Sequence, residues 1–401
     1  MSMRRLRLTE HQPARAVSLS PEERDGLRAI KDFEVAPTPG TSGSFDLTPG
    51  STVGAVEIGS LAVQISPKIP VGNVLFLISY ALDPSRWRKT GFEFAERDSL
   101  LEAVIPGFVH QVRQAFRPGL LQGYRTQEES LSTVRGRIRI GDQIRRRHGI
   151  SPPVEVRYDD FTEDIDVNRL IKAAIHRLSR LRIRSSTSRS ALCSYDVALA
   201  QVTTMPYDAR RLPEIQWTRL NQHYRPAVEL ASLILRATTF EHHDGSIRST
   251  GFLVDMNQVF ENFAVVALRD ALGLREEEFP QGDKRLRLDL AHSVKLKPDL
   301  SWWEGGTCRF VGDLKYKRIG EHGIHHPDIY QLLSYVIAAD LPSGLLIYAA
   351  GEADEAIHDI IHVGRRLVVT TLDVGGSPGE ILGQVGALAG RISTLRSTTL
   401  V

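Results

Sequence analysis

Leu296–Arg318, LKPDLSWWEGGTCRFVGDLKYKR, restricts what this chain can fold into more than any other stretch. Val294–Trp303 and Thr307–Tyr316 both read as strands. Glu304-Gly305-Gly306 between them is a tight-turn signal, so the two runs predict a hairpin. A hairpin places Asp299 beside Asp313 at one end. Side chains two apart in a strand share a face, so Asp313 and Lys315 point one way and Leu314 points to the core. Two carboxylates and an ammonium then converge on one small volume. Held together, the carboxylates repel, and the pair must take up a proton or a cation. Mg²⁺ favours such oxygen ligands and polarises phosphoryl oxygens. Lys315 would then orient a water or offset charge developing on a phosphate. On Asp-x-Lys alone, a surface hairpin with exposed charges reads the same; Pro298-Asp299, the glycine turn and the helix that follows favour a site.

The chain has 401 residues, which predicts two or three domains. Hydrophobic content of 42% and charged content of 24% are ordinary for a globular protein. No apolar run reaches the length of a membrane span, Val74–Leu82 being far shorter. The start, MSMRRLRLTEHQPARA, is basic without an apolar segment, so no secretory signal is expected. Cys193 and Cys308 lie far apart without metal spacing, which predicts free thiols and a cytoplasmic location. Net charge is only +2, so any nucleic-acid contact must come from local patches.

Residues 1–50 are turn-rich and predict irregular structure around short strands. Val53–Ile65 alternates around Gly59-Ser60, a second hairpin. Helices are predicted over Asn73–Leu82 and Ala95–Phe116, the latter kinked at Pro106. Arg125–Arg147 holds seven arginines (125, 135, 137, 139, 145, 146 and 147). This is the densest positive stretch. Arg135, Arg137, Arg139, Arg145, Arg146 and Arg147 suit a phosphate backbone, an acidic protein partner, or plain solvent. Val154–Tyr158 predicts a strand, and Asp166 an N-cap for a helix from Val167. The acids 159, 160, 163, 164 and 166 lack the spacing of an EF-hand. Helices are expected to continue to about Leu235, with a domain boundary near Glu241–Gly245.

The last domain opens with a helix from about Asp255 to Leu272 that stops at Gly273. It carries Glu261 between Phe260 and Phe263, either at the stripe edge or aimed into a site. A strand is expected at Leu286–His292, then the opening hairpin. A loop at Gly320–Pro327 and a helix at Ile329–Ala339 follow, with Gln331 and Tyr335 on one helical face. His322, His325 and His326 crowd that loop; a zinc site and a phosphate-contacting loop are both readings. Gly344–Ala350 and Arg366–Leu372 read as buried strands, and Pro378–Leu395 as a final helix. The fold class is α/β with a mixed sheet, after a mixed α+β N-terminal part. The expected domains are 1–130, a mostly helical 131–245, and 246–401.

A helix with Glu261, a hairpin with Pro298-Asp299 and Asp313-x-Lys315, and a helix with Gln331 resemble the PD-(D/E)xK nuclease superfamily, with its mixed sheet flanked by helices. VDMNQVFENF, GDLKYK followed by IYQLLSYV, VGAVEIGSLAVQISPKI, RGRI and YDDFTEDIDVNRLIKAA are similar to the McrC family, nuclease subunits of McrBC-type modification-dependent restriction systems. The likeness runs from about residue 50 to 370. It implies that Asp299 and Asp313 bind Mg²⁺ or Mn²⁺, joined by Glu261. Lys315 would serve the attacking water and Gln331 would sit at the edge. It also implies cleavage of double-stranded, 5-methylcytosine-type modified DNA together with a McrB-like AAA+ GTPase hexamer. The N-terminal region would dock on that partner and stimulate it. No Gly-x-x-x-x-Gly-Lys-Ser/Thr occurs here, so GTP would enter only through the partner. Competing readings are a non-catalytic adaptor between motor and DNA, and a nuclease of the same core acting alone in DNA repair.

Overall fold

Residues 3–82, 84, 100–147, 152–181, 183–208, 211–237, 249–318, 325–350 and 356–397 are described by a computed structural model. The chain divides into two units. Residues 1–103, 242–249 and 253–401 form the first; 104–241 and 250–252 form the second. The first unit is thus built from both ends of the chain, and the division at 241/242 falls beside the expected boundary at 245.

Its N-terminal part is more regular than its turn-rich text suggests. β1 (Arg4–Thr9), β2 (Ala14–Ser18), α1 (Pro21–Arg28), β3 (Phe33–Pro37) and β4 (Ser44–Pro49) follow in order. Helix α1 has a sequence signal in Ser-Pro-Glu-Glu. The Ser20 hydroxyl accepts from the Glu23 amide, and the Glu23 carboxylate accepts from the Ser20 amide. β2, β4 and β3 make a small antiparallel sheet. β5 (Thr52–Ile58) and β6 (Leu61–Ser66) form the expected hairpin, with Gly59 in the left-handed region. β1 adds to β6 in parallel. α2 (Val71–Leu82) follows.

α3 (Leu100–Phe116) passes through Pro106 and leads into the second unit. There β7 (Gly123–Leu131), β8 (Arg137–Ile138) and β9 (Val154–Thr162) form an antiparallel sheet, with α4 (Ile140–Arg147) between β8 and β9. α5 (Asp166–Ser179) starts one residue earlier than expected. Ile165 holds the N-cap position without a side-chain cap, and Asp166 lies in the first turn. α6 (Ser186–Ala198) and α7 (Arg225–Ala237) complete this unit. Residues 200–208 and 211–221 are not helical, against the expectation of continuous helix to Leu235. Leu170, Ile171, Ala174, Ile175 and Leu178 of α5 are buried, as their spacing requires.

β10 (Ser249–Asp255) brings the chain back to β5 at the edge of the β1-β6-β5-β10 sheet. Asp255 caps α8 (Met256–Leu272), and Gly273 ends it at φ 68°. Then come β11 (Leu300–Glu304), β12 (Thr307–Arg318), α9 (His326–Ala338), β13 (Ser343–Ala350), β14 (Ala356–Ile360), β15 (Arg365–Thr371) and α10 (Pro378–Ser397). The sheet order is β11-β12-β13-β15-β14. β12, β13 and β15 run parallel; the outer strands are antiparallel. This is the mixed sheet expected, with two differences. Leu286–His292 is no strand: only an isolated bridge joins Arg287 to Lys295, and Leu290 is 101% exposed. Leu286 is buried against Trp303 and Val311, but Leu288 and Leu290 face solvent, so the alternation does not continue into a buried strand. β14 was not anticipated, because a half-exposed edge strand lacks an apolar run.

The two ends of the chain share a core because α2 is aromatic where it meets α8. Phe76 and Tyr80 each lie 5.5 Å from the Phe263 ring, edge to face. The Tyr80 hydroxyl donates to Asp270 at 2.8 Å. On the other side of the five-stranded sheet, α9 lays Leu332, Tyr335 and Val336 onto Val311, Leu346 and Val369. Gly344 makes that approach possible. A Cβ there would stand 2.5 Å from Val336 and 3.0 Å from Leu332. Gly344→Ala is expected to cost about 1–3 kcal/mol by overpacking. Thermal denaturation reads this directly, and an unchanged midpoint would refute the close approach. Among the described residues, no helix is long and apolar enough to cross a membrane.

Candidate active site

The site lies where β11 and β12 begin to pair, under α9. Gly305 and Gly306 both take positive φ, 56° and 84°, which closes the two-residue turn between Glu304 and Thr307. Pairing of Leu300 with Gly312 sets Asp299 alongside Asp313. Asp299 stands just before β11, whose ladder starts later than the expected Val294. Pro298 has no amide hydrogen to give to a ladder.

Asp313 is 1% exposed on β12, an interior strand of the sheet. The Leu314 amide donates to Asp299 Oδ2 at 3.0 Å. Lys315 Nζ lies 2.6 Å from Asp313 Oδ2. That approach is off the axis of a hydrogen bond, so Oδ2 is charge-paired yet lacks a directed donor in a buried place. Burial first, and then the Asp313 charge, push Asp299 up to about 7. Asp313 is raised too, chiefly by burial. The pair therefore favours holding one proton between two carboxyls. Burial alone would lower Lys315, but Asp313 outweighs it and holds the ammonium above its ordinary value. Lys315 thus stays charged at neutral pH.

A relay of hydrogen bonds fixes the lysine. Lys315 Nζ donates to Gln331 Oε1 at 3.1 Å, and Gln331 Nε2 donates to the Tyr335 hydroxyl at 2.8 Å. That hydroxyl donates to the Lys297 carbonyl at 3.1 Å, two residues before Asp299. The helical spacing of Gln331 and Tyr335 thus locks α9 to both acidic strands. Glu261 stands apart from the pair. Gln281 Nε2 donates to it at 3.1 Å, and burial, then the Asp299 charge, raise its carboxyl. Among the described residues no group of three or more His, Cys, Asp and Glu is arranged to hold a metal ion. Asp299 and Asp313 are brought together; Glu261 is near enough to feel Asp299 without joining it.

Two further clusters frame the site without a signal in the sequence. Asp328, in the first turn of α9, takes Lys317 Nζ at 2.8 Å and the Tyr348 hydroxyl at 2.7 Å. Burial would raise its carboxyl, but Lys317 and Tyr348 outweigh this and hold it low. On the opposite face of β12, Tyr316 donates to Glu10 Oε1 at 2.9 Å, and the Lys68 amide donates to the same oxygen at 2.6 Å. The Lys68 ammonium lies 3.9 Å over the Tyr316 ring. The N-terminal strands are thereby tied to the residue after Lys315.

The remaining candidates fall elsewhere. In the second unit, Arg135 pairs with Asp160 at 2.7 Å and covers the Tyr158 ring. Arg139 pairs with Glu128 and Asp142, Arg145 with Asp142, and Arg146 with Glu155. Arg137 lies exposed on β8, and Arg147 ends α4. Much of this positive charge is balanced locally. Asp164, from the acidic run, is held low by Arg169 and by Thr203, so that run serves pairing. His322 lies outside the described residues. His325 approaches Asp328 at 3.7 Å and His326 faces Tyr330, so these two do not converge.

Fold and site together define a mixed α/β protein in which β12 and the residue before β11 bring together a buried acid pair backed by a charged lysine. The chain belongs to the McrBC family, described as "McrBC 5-methylcytosine restriction system component", whose family model matches residues 47–349. Among solved structures it is similar to a chain of the refined half-complex from a tetradecameric assembly of Thermococcus gammatolerans McrB AAA+ hexamers with bound McrC. The TM-score is 0.55 at 19% identity, covering 97% of this chain and 100% of that one. A chain of the cryo-EM structure of the Thermococcus gammatolerans McrBC complex matches with TM-score 0.40 and 19% identity, over 67% of this chain and 88% of that one. No curated protein matches.

Proposed function

We propose that this chain is the DNA-cleaving subunit of a GTP-driven restriction complex directed at 5-methylcytosine-type modifications, built on a PD-(D/E)xK core. The observation that carries the reading is the buried Asp299–Asp313 pair with Lys315, in a chain of a restriction-system family. The residues fit a divalent cation. Asp313 Oδ2 is a buried oxygen without a donor, and the pair otherwise needs a shared proton. Two carboxylates plus water and phosphate oxygens are a usual set for Mg²⁺ or Mn²⁺. Asp299 and Asp313 would hold the ion, with Glu261 adding negative charge from α8. Bound there, the ion would supply Lewis acidity toward the phosphate and a more acidic water.

The chain's own residues do the rest. Lys315 is held protonated, so it acts by charge and hydrogen bonding rather than as a base. It would steady the water and offset charge on the phosphate as the P–O bond breaks. Gln331 and Tyr335 keep its ammonium aimed. With no nucleotide-binding loop in the sequence, GTP hydrolysis falls to a McrB-like AAA+ hexamer, which this chain would bind and stimulate. Arg137 and its neighbours are the candidate contact to that partner or to DNA.

The test is reconstitution with a McrB-type GTPase on methylated linear duplex DNA. Cutting is expected only with both proteins, GTP, Mg²⁺ and methylation. Cutting by this chain alone without GTP would instead mark a stand-alone nuclease.

A further inference from the structure

We propose that Lys317 binds a second phosphate of the nucleic-acid substrate, next to the one served by Lys315. The inference rests on the cleavage reading above and extends its site by one cation.

β12 sends Asp313 and Lys315 toward α9, and Lys317, in the stretch where the register shifts between Lys315 and Arg318, reaches the same helix. α9 answers with two acceptors three residues apart, which stand above one another on a helix face. Gln331 takes Lys315 at 3.1 Å and Asp328 takes Lys317 at 2.8 Å. The two lysines are therefore set as a pair by acceptors about 5–6 Å apart on α9. That spacing suits neighbouring phosphates of one nucleic-acid strand.

The two differ in what they leave free. Lys315 has 22% of its side chain exposed and lies against Asp313; Lys317 has 39% exposed. An ammonium has three donors. Asp328 takes one from Lys317, leaving donors on an accessible head group. Asp328 itself is buried, and its Oδ2 is anchored by Tyr348 of β13, whose register partner is Lys315. Its carboxylate thus places the Lys317 head group from a fixed point. A cation held in place but still open to water is suited to receiving a phosphate without first losing its own freedom.

The test uses the full chain in an Asp313→Asn background with Ca²⁺, so that no cutting is needed. A fluorescent duplex is titrated by anisotropy at several salt concentrations. Lys317→Gln is expected to weaken binding about 5–10-fold and to lower the salt slope by about one. Lys317→Arg should restore most of the affinity. Asp328→Asn is the discriminating variant: it removes the pairing charge but leaves the lysine and an acceptor for Tyr348. It should lose less affinity than Lys317→Gln and keep the parent's salt slope. Equal losses from Lys317→Gln and Asp328→Asn would mean a structural ion pair and overturn the proposal. So would an unchanged salt slope in Lys317→Gln, or no saturable binding by the parent. If wild type never cuts DNA but the slope still changes, the cleavage reading fails and the phosphate site stands.

Discussion

If this chain is the cleaving subunit, Asp313→Ala and Lys315→Ala are each expected to reduce DNA cleavage by about 10³-fold or more in the complex with an AAA+ partner, with stimulated GTP hydrolysis within about twofold. The size follows from where these groups stand. Asp313 is the most buried acid of the pair, and Lys315 is the cation held against it. Losing either removes charge aimed at the reacting phosphate inside a site of low dielectric, where such charge counts most. Asp313→Asn is the companion variant, since it keeps the volume of the buried side chain. Single-turnover cleavage and phosphate release, measured on one preparation, separate the two activities. Cleavage that persists while stimulation is lost would reverse the division of labour proposed for this chain.

Asp299→Asn is expected to make the protein more stable in metal-free buffer and to abolish the stabilisation by Mg²⁺ that the proposed site implies. Asp299 is raised to about 7 in the folded chain, above its ordinary 3.8. The folded state therefore holds a proton that the unfolded state releases between about pH 4 and 7. Stability from this group is full below pH 4 and is lost as pH rises through 7. Above pH 7 the wild-type pair carries its repulsion in full, and the amide relieves it. The gain is on the order of 2 kcal/mol, given that one pKa unit is worth about 1.4 kcal/mol and the pair titrates together. Denaturation midpoints at pH 8, with and without Mg²⁺, decide the matter. Equal metal-induced shifts in wild type and Asp299→Asn would remove Asp299 from the ligand set.

The sequence by itself determined those parts of this protein whose signals are local. Gly305-Gly306 dictates a two-residue turn, and alternation on β12 separates Asp313 and Lys315 from Leu314. Asp255 and Gly273 bracket α8, and the four-residue step from Gln331 to Tyr335 puts both on one face of α9. Even α1 carries a local signal, the capping pair Ser20 and Glu23. What only the tertiary structure decided are partnerships across long stretches of chain. Tyr316 meets Glu10, Tyr80 meets Asp270, Asp328 holds Lys317, and Tyr335 reaches the Lys297 carbonyl. No spacing rule announces these, because periodicity reports which face of an element is apolar, not which distant element will cover it. The same reason explains Leu286–His292, where the alternation is present but only Leu286 finds a partner, and Leu288 and Leu290 stay exposed. The charges of Asp299, Asp313 and Lys315 were likewise out of reach. They depend on burial and on neighbours a few ångströms away, which exist only once β11, β12 and α9 have packed.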